Sequence, residues 1–295
     1  MNETIEALRQ KIGKARTLGS VVRTMKTLAA SNIKQYEEAV RALIVYYRAI
    51  ELGLSACLRG MDGQYSRVIN PEKKAHLTIA VVVGSDQGLV GSFNDQLTDV
   101  VTHKLEELSG RTIILAVGER IQSRLTDACH KPEELFAVAG SVNAIAPLVG
   151  DLLAAVEKLR KKEAMIQLYL FYNSPESGEI YHSLSKRLLP LDITWEREIR
   201  RTVWPTKAIP EMLSGSDTVR WALVREYLFV SLFRACAESL ASENASRLSA
   251  MQRAEKNIDD ILEDLARLYN NRRQSGIDAE LFDVMSGFNS LSDSQ

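Results

Sequence analysis

Residues 5–57, IEALRQKIGKARTLGSVVRTMKTLAASNIKQYEEAVRALIVYYRAIELGLSAC, decide the fold. Counted by sevens, one row is Ile5, Ile12, Gly19, Lys26, Ile33, Val40, Tyr47 and Leu54. The second row is Leu8, Ala15, Val22, Ala29, Tyr36, Leu43, Ile50 and Cys57. Only Gly19 and Lys26 break two otherwise apolar rows, and no proline occurs before Pro71. A heptad held this long predicts a coiled-coil helix.

The other end of the chain repeats the pattern. Val230, Phe233, Ala237, Leu240, Asn244, Arg247, Met251, Ala254, Ile258, Ile261, Leu265 and Leu268 follow the same alternating spacing of three and four. Ile277, Leu281, Val284, Phe288 and Leu291 continue an apolar stripe. A helix over residues 217–291 would reach roughly 110 Å at 1.5 Å per residue, far beyond the needs of a compact domain. If the intervening chain is one compact body, the two helices pair antiparallel, with the Ile33 region expected beside Leu232 to Leu240. Such an object is a rod with a knob, built for reach or axial transmission rather than for a pocket.

Between the rods the period changes. RGMDGQYSRVINPEKK, residues 59–74, has the turn chemistry of a boundary. LTIAVVV at 77–83, TIILAV at 112–117, a short run at 135–139 and MIQLYLFY at 165–172 read as strands. Residues 95–109, 119–128 and 141–162 read as helices. Strands alternating with helices imply βαβ units and a mostly parallel, Rossmann-like α/β sheet. Residues 178–203 read as an added strand and a loop ending near Trp204-Pro205. The expected domains are therefore an N-terminal coiled-coil helix (1–59), an α/β body (75–203) and a C-terminal coiled-coil helix (217–291).

Composition narrows the function. Lys and Arg number 37 against 38 Asp and Glu, so there is no global charge footprint for nucleic acid. Arg9, Lys11, Lys14, Arg16, Arg23, Lys26 and Lys34 make the first helix locally basic, a solvated face or a surface for an acidic partner. Cys57, Cys129 and Cys236 show neither metal spacing nor a disulfide framework, which points to a reducing compartment. His76, His103, His130 and His182 are scattered. MNETIEALRQKIGKA lacks the apolar core of a leader, and no run long enough to span a membrane occurs.

GSDQGLVGSFN at 84–94 follows a strand and precedes a helix, where a phosphate loop would sit. It lacks the Gly-Lys-Ser/Thr ending and the full G-x-G-x-x-G spacing, so a tight glycine turn is the better reading. Ser183 beside His182, and Ser85 beside Asp86, have no supporting frame for nucleophilic chemistry. Asp259, Asp260, Glu263 and Asp264 are adequately read as solvated acids. No catalytic, cofactor-binding or metal-ligating set is expected. Lys26, Asn244, Arg247 and Arg272 stand on the seams, either to fix register or to face a surrounding partner.

Four motifs in order carry a resemblance. MKTLAASNIK at 25–34 resembles M-x-x-V-A-A-S-K-M-R, and SDQGLVGSFN at 85–94 resembles S-D-R-G-L-C-G-x-x-N. SENASRLSAM at 242–251 is similar to S-E-x-x-A-R-M-x-A-M, and YNNRRQSGIDAEL at 269–281 to Y-N-K-x-R-Q-x-x-I-T-x-E-L. Over essentially its whole length the chain resembles the gamma subunit of F-type ATP synthases, the central rotor shaft. The resemblance implies paired helices inside a ring of alpha and beta subunits, a foot on the ring of c subunits, and epsilon alongside. It implies a shaft that couples ion flow to ATP synthesis or hydrolysis and binds no catalytic nucleotide or other cofactor. It also implies a protein peripheral to the membrane, on the cytoplasmic face in a bacterium. Met25, Lys26, Arg272, Arg273, Gln274 and Asp278 fall on motif positions that contact beta subunits. Asp278 stands where the family has Thr, and is read as turned inward onto Arg272 or Arg273. Asn32 replaces the usual Lys, and 199–216 lacks the usual Tyr-Glu-Pro-type sequence. These departures point to a divergent bacterial lineage, of the kind that includes sodium-coupled alternatives. The competing classes are a nucleotide-binding α/β protein with helical oligomerisation arms and an unrelated coiled-coil scaffold.

Overall fold

A computed structural model describes residues 4–59, 77–108, 110–161, 166–176, 179–202, 204–208 and 216–292. The expected boundary after Arg59 and most of the divergent stretch before Ser216 lie outside the described residues. The elements run α1 (Ile5–Arg59), β1 (Leu77–Val83), α2 (Phe93–Glu107), β2 (Arg111–Val117), α3 (Glu119–Asp127) and β3 (Glu134–Phe136). They continue with α4 (Val142–Arg160), β4 (Ile166–Glu176), β5 (Glu179–Leu189), α5 (Ile193–Arg201) and α6 (Ser216–Ser292). The chain divides into two compact units, one of residues 1–29 and 248–295, the other of residues 30–247.

In the unit of 30–247 the sheet order is β3-β2-β1-β4-β5. β2, β1 and β4 run parallel, with Val81 opposite Leu115 on one side and Leu170 on the other. β5 is antiparallel to β4, as in the register Phe171 to Ser185. The fold class is the α/β body with long terminal helices that the patterns imply. Within the stretch expected to hold an added strand and a loop, the described residues 179–202 form one edge strand, β5, and one further helix, α5.

Alternation along β1 sorts its side chains between two cores. Leu77, Ile79, Val81 and Val83 face α1, α4, α5 and α6, where Leu54, Leu152, Ile199 and Leu232 are buried. Ala80 and Val82 face α2 and α3, against Leu97, Val101, Ile121 and Leu125. Burial on both faces explains the unbroken apolar run in this strand. α1 and α6 pack antiparallel here: Asn32 Nδ2 lies 3.4 Å from Asn244 Oδ1, and Tyr46 donates to Glu226 at 2.6 Å. With Asn32 at Asn244 and Tyr46 at Glu226, the Ile33 region falls at and just beyond Leu240, at the far edge of the Leu232 to Leu240 span expected from the sequence. A heptad fixes which face is buried but is satisfied by more than one axial offset.

In the unit of 1–29 and 248–295, Val22, Met251 and Ile258 form the buried seam, flanked by Met25, Ala250, Ala254 and Leu262. Gly19 faces α6 at the level of Ile258, whose Cγ2 would lie 3.4 Å from a Cβ built there, an ordinary contact distance. Further along α6 the half-buried positions are Leu262, Leu265 and Tyr269, while Ile261 and Leu268 are exposed. An undistorted helix drifts by about 20° per heptad, enough to exchange neighbouring positions on the seam.

Candidate functional site

The glycine loop after β1 is closed by its own groups. Asn94 Oδ1 accepts from the Ser85 N–H at 3.1 Å, and Asn94 Nδ2 donates to Ser85 Oγ at 2.9 Å. The Asp86 carboxylate accepts from the backbone N–H groups of Glu119 and Val138, each at 3.1 Å. It therefore ties together the ends of β1, β2 and β3. Gly84 is required sterically, since a Cβ would sit 2.3 Å from Ile121 Cβ. Gly118, at φ +115°, is required by both backbone and space, with Ser85 O only 2.6 Å from a built Cβ. The motif is a joint of the fold.

Three serines of α6 fasten that joint. Ser239, Ser242 and Ser246 donate to the carbonyls of Val83, Asn173 and Val90 at 3.0, 3.2 and 2.5 Å. Asn173 in turn donates to Phe93 O at 3.1 Å. Their spacing of three and four places them on one helical face. That spacing is the sequence signal for this contact, and the heptad reading passed over it. Beside them Glu243 pairs with Arg247 at 2.5 Å, the side chains 8% and 14% exposed. Burial pushes the Glu243 carboxyl up, with Arg247 opposing the shift. Arg247 and Asn244, which donates to Leu240 O at 2.8 Å, are thus seam residues with internal partners.

The six residues expected to meet beta subunits fall in the unit of 1–29 and 248–295, at two levels. Met25 is half-buried against the Val22 seam. Lys26 Nζ lies 2.5 Å from Glu255 Oε2, and Arg23 Nε reaches Glu255 Oε1 at 3.1 Å. The hydrogen bond from Lys26, reinforced by Arg23, holds the Glu255 carboxyl below the usual range. Glu255 is a functional candidate that the sequence reading did not single out.

Arg272, Arg273, Gln274 and Asp278 are all exposed on α6, well over four turns beyond the level of Glu255. Asp278 forms no ion pair among the described residues, so the inward pairing is not made. Separations of five and six residues put the arginines on other faces of the helix, unlike the three or four that bring side chains together. With Gly19 at Ile258 and Arg23 at Glu255, the first residue of α1 falls near the level of Arg272. Beyond that level α6 continues without α1. There Ile277, Leu281, Phe282, Val284 and Met285 are between 53% and 73% exposed. Five large apolar side chains in water over little more than two turns form a patch of the kind that marks an interaction surface.

A family model described as ATP synthase matches residues 4–291. The ATP synthase gamma chain of Paramagnetospirillum magneticum is 28% identical, covering 98% of this chain and 99% of that relative. The ATP synthase gamma chain of Clavibacter sepedonicus is also 28% identical, with both chains covered completely. Among solved structures, a chain of the Euglena gracilis mitochondrial ATP synthase (OSCP/F1/c-ring, rotational state 3) superposes with a TM-score of 0.63 at 16% identity, covering 97% of this chain and 94% of that one. A chain of the Tetrahymena thermophila mitochondrial ATP synthase central stalk and c-ring gives a TM-score of 0.55 at 21% identity, covering 79% and 99%.

Proposed function

The chain belongs to the ATP synthase gamma family, and from that premise we propose how its residues serve the central-stalk rotor of an F-type ATP synthase. The gamma chain is the rotor between the c-ring and the alpha/beta catalytic ring, a non-catalytic part of the enzyme. In this chain the α1–α6 pair is the element that carries torque. The free end of α6 seats among the alpha and beta subunits, and Arg272, Arg273, Gln274 and Asp278 contact beta. Met25 and Lys26 contribute a second level of contact, the Lys26 ammonium held in place by Glu255.

One observation carries the reading: the exposed apolar turns from Ile277 to Met285, which α1 does not cover. Burying a large apolar side chain stabilises by about 1.5–3 kcal/mol, so several of them give a surrounding collar ample affinity. The catalytic groups lie on other subunits in this reading, since Ser85, Asp86 and Asn94 are committed to the joint. No helix among the described residues is long and apolar enough to cross a membrane. The protein is peripheral to the membrane, and its bacterial relatives support placing it on the cytoplasmic face.

The test is amide hydrogen exchange over residues 272–292, in the isolated chain and in the assembly reconstituted with alpha and beta subunits. Strong protection on assembly is expected. Exchange at the same rate in both states would remove the proposed seat.

A further inference from the structure

The unit of 30–247 carries a groove that torque transmission does not use. It opens between α4, the end of β5 and the first turns of α6, with a volume of about 260 Å³. Leu153, Val156, Leu189, Val224 and Leu228 form its apolar floor. At its mouth Trp221 is 47% exposed. The Arg160 guanidinium lies over this indole, 4.6 Å from the ring centroid, and that of Arg220 lies at 5.9 Å. Arg225 meets Glu157 at 3.5 Å with 66% of its side chain exposed. Among the described residues no carboxylate pairs with Arg160. The mouth thus sets the guanidinium groups of Arg160 and Arg225 beside the one carboxylate of Glu157, an apolar floor and an exposed indole.

Indole rings settle at the level of lipid headgroups, and clustered arginines attract anionic ones. The volume has room for about eight or nine methylene-sized groups at roughly 30 Å³ each, taking the space of a water as the measure. That is one acyl segment, not the row of anchors that a docked helix inserts. We propose that this groove binds an anionic phospholipid of the membrane surface. The headgroup phosphate meets Arg160 and Arg225, Trp221 lies at the interface, and an acyl segment lies along Leu153, Val156 and Leu228. This goes beyond the rotor reading, which requires no contact of this chain with lipid.

The purified full chain is floated with phosphatidylcholine vesicles, with and without phosphatidylglycerol. Their acyl chains are brominated so that a buried indole is quenched. Binding to the anionic vesicles and quenching that disappears in Trp221→Phe are expected. Arg160→Gln should weaken partitioning by about fivefold, since each basic residue near an anionic surface contributes roughly 1 kcal/mol. The exposed positions of Trp221 and Arg160 leave the fold intact, checked by an unchanged melting temperature. The proposal is overturned if anionic vesicles do not bind, or if quenching survives in Trp221→Phe. It is also overturned if only Lys14→Gln and Arg16→Gln on α1 reduce binding. Loss of assembly with partner subunits in Trp221→Ala, with vesicle binding unchanged, would make the groove a protein-docking site and refute the lipid.

Discussion

Lys26 on α1 and Glu255 on α6 face each other across the helix pair, Nζ 2.5 Å from Oε2, and Arg23 reaches the same carboxylate one turn earlier. Lys26 occupies a row that is otherwise apolar, so a single acid converts a weak point of the seam into a fixed level. The polar pair restricts how the helices slide, as polar residues at coiled-coil seams do.

The Glu255 carboxyl is held below its ordinary range by Lys26 and Arg23. The folded value lies below the unfolded one, so this stabilisation is present above the unfolded carboxylate range. It is lost as pH falls through that range and then through the lower folded value. Glu255→Gln should lower the melting temperature at about pH 7, and the gap to the wild type should close near pH 3. Salt of about 1 M, with its Debye length near 3 Å, should narrow the gap too. A gap independent of pH and salt would show that Glu255 acts through packing alone.

The register is open to a direct chemical check. Asn32→Cys with Asn244→Cys should oxidise to a disulfide, since their side chains already meet. Asn32→Cys alone should not link to Cys236, eight residues and about 12 Å further along the axis, because bridgeable Cα atoms lie within about 7 Å. Cys236 is buried, its thiol pushed up to about 12 by desolvation, while Cys129 is exposed and is best replaced first. A link to Cys236 in place of the designed pair would restore the register read from the sequence.

Glu243 and Arg247 form a buried pair beside the serine contacts, and removing one partner strands the other. Glu243→Leu or Arg247→Met alone should cost about 3–5 kcal/mol, while the double variant should recover much of the loss. Chemical denaturation of the four proteins gives the coupling energy. Additive losses would mean that the two side chains act independently.

Sequence made the long helices legible because a seam row is a local count: Leu8, Val22, Ala29, Tyr36 and Ile50 are all buried as the heptad requires. β1 was legible because burial on both faces leaves an unbroken apolar run. β5 was harder: an edge strand keeps Ser183, Ser185, Lys186 and Arg187, and its pattern resembles that of a loop. Partner choice across helices was not legible, since Glu255 sits one place off the counted row. The stripe from Ile277 onward was visible as a periodicity, but period alone does not tell what covers a face. The Asp86 and Asn94 roles depend on backbone groups of distant strands, which no local pattern encodes.

The glycines of the joint should separate sterics from backbone strain. Gly84→Ala places a methyl against Ile121, and overpacking of this kind costs about 1–3 kcal/mol. Gly118→Ala meets backbone at Ser85 and also forces a side chain into positive φ, so its loss should be larger. A melting series on the purified variants ranks them. Gly118→Ala melting like the wild type would show that the β1 and β2 ends can part without cost.

The end of α6 should separate stability from function. Ile277, Leu281 and Val284 are exposed and have no α1 residue at their level, so replacing all three by Ser removes little burial from the isolated chain. Exposed substitutions shift stability by about 0.5 kcal/mol or less, and the melting temperature of the isolated chain should barely move. In the assembly the same side chains are proposed to be buried by alpha and beta, where large-to-small changes cost about 2–5 kcal/mol each. The triple variant should therefore lose ion-coupled ATP turnover while folding normally. Asp278→Thr tests the polar part of the same contact. With no internal ion pair to break, it should leave the isolated chain unchanged, and any effect on coupled turnover reports a contact made only in the assembly. Full coupling in the triple variant would mean that the exposed turns face water in the working rotor, and torque would then have to pass through the level of Met25 and Lys26 alone.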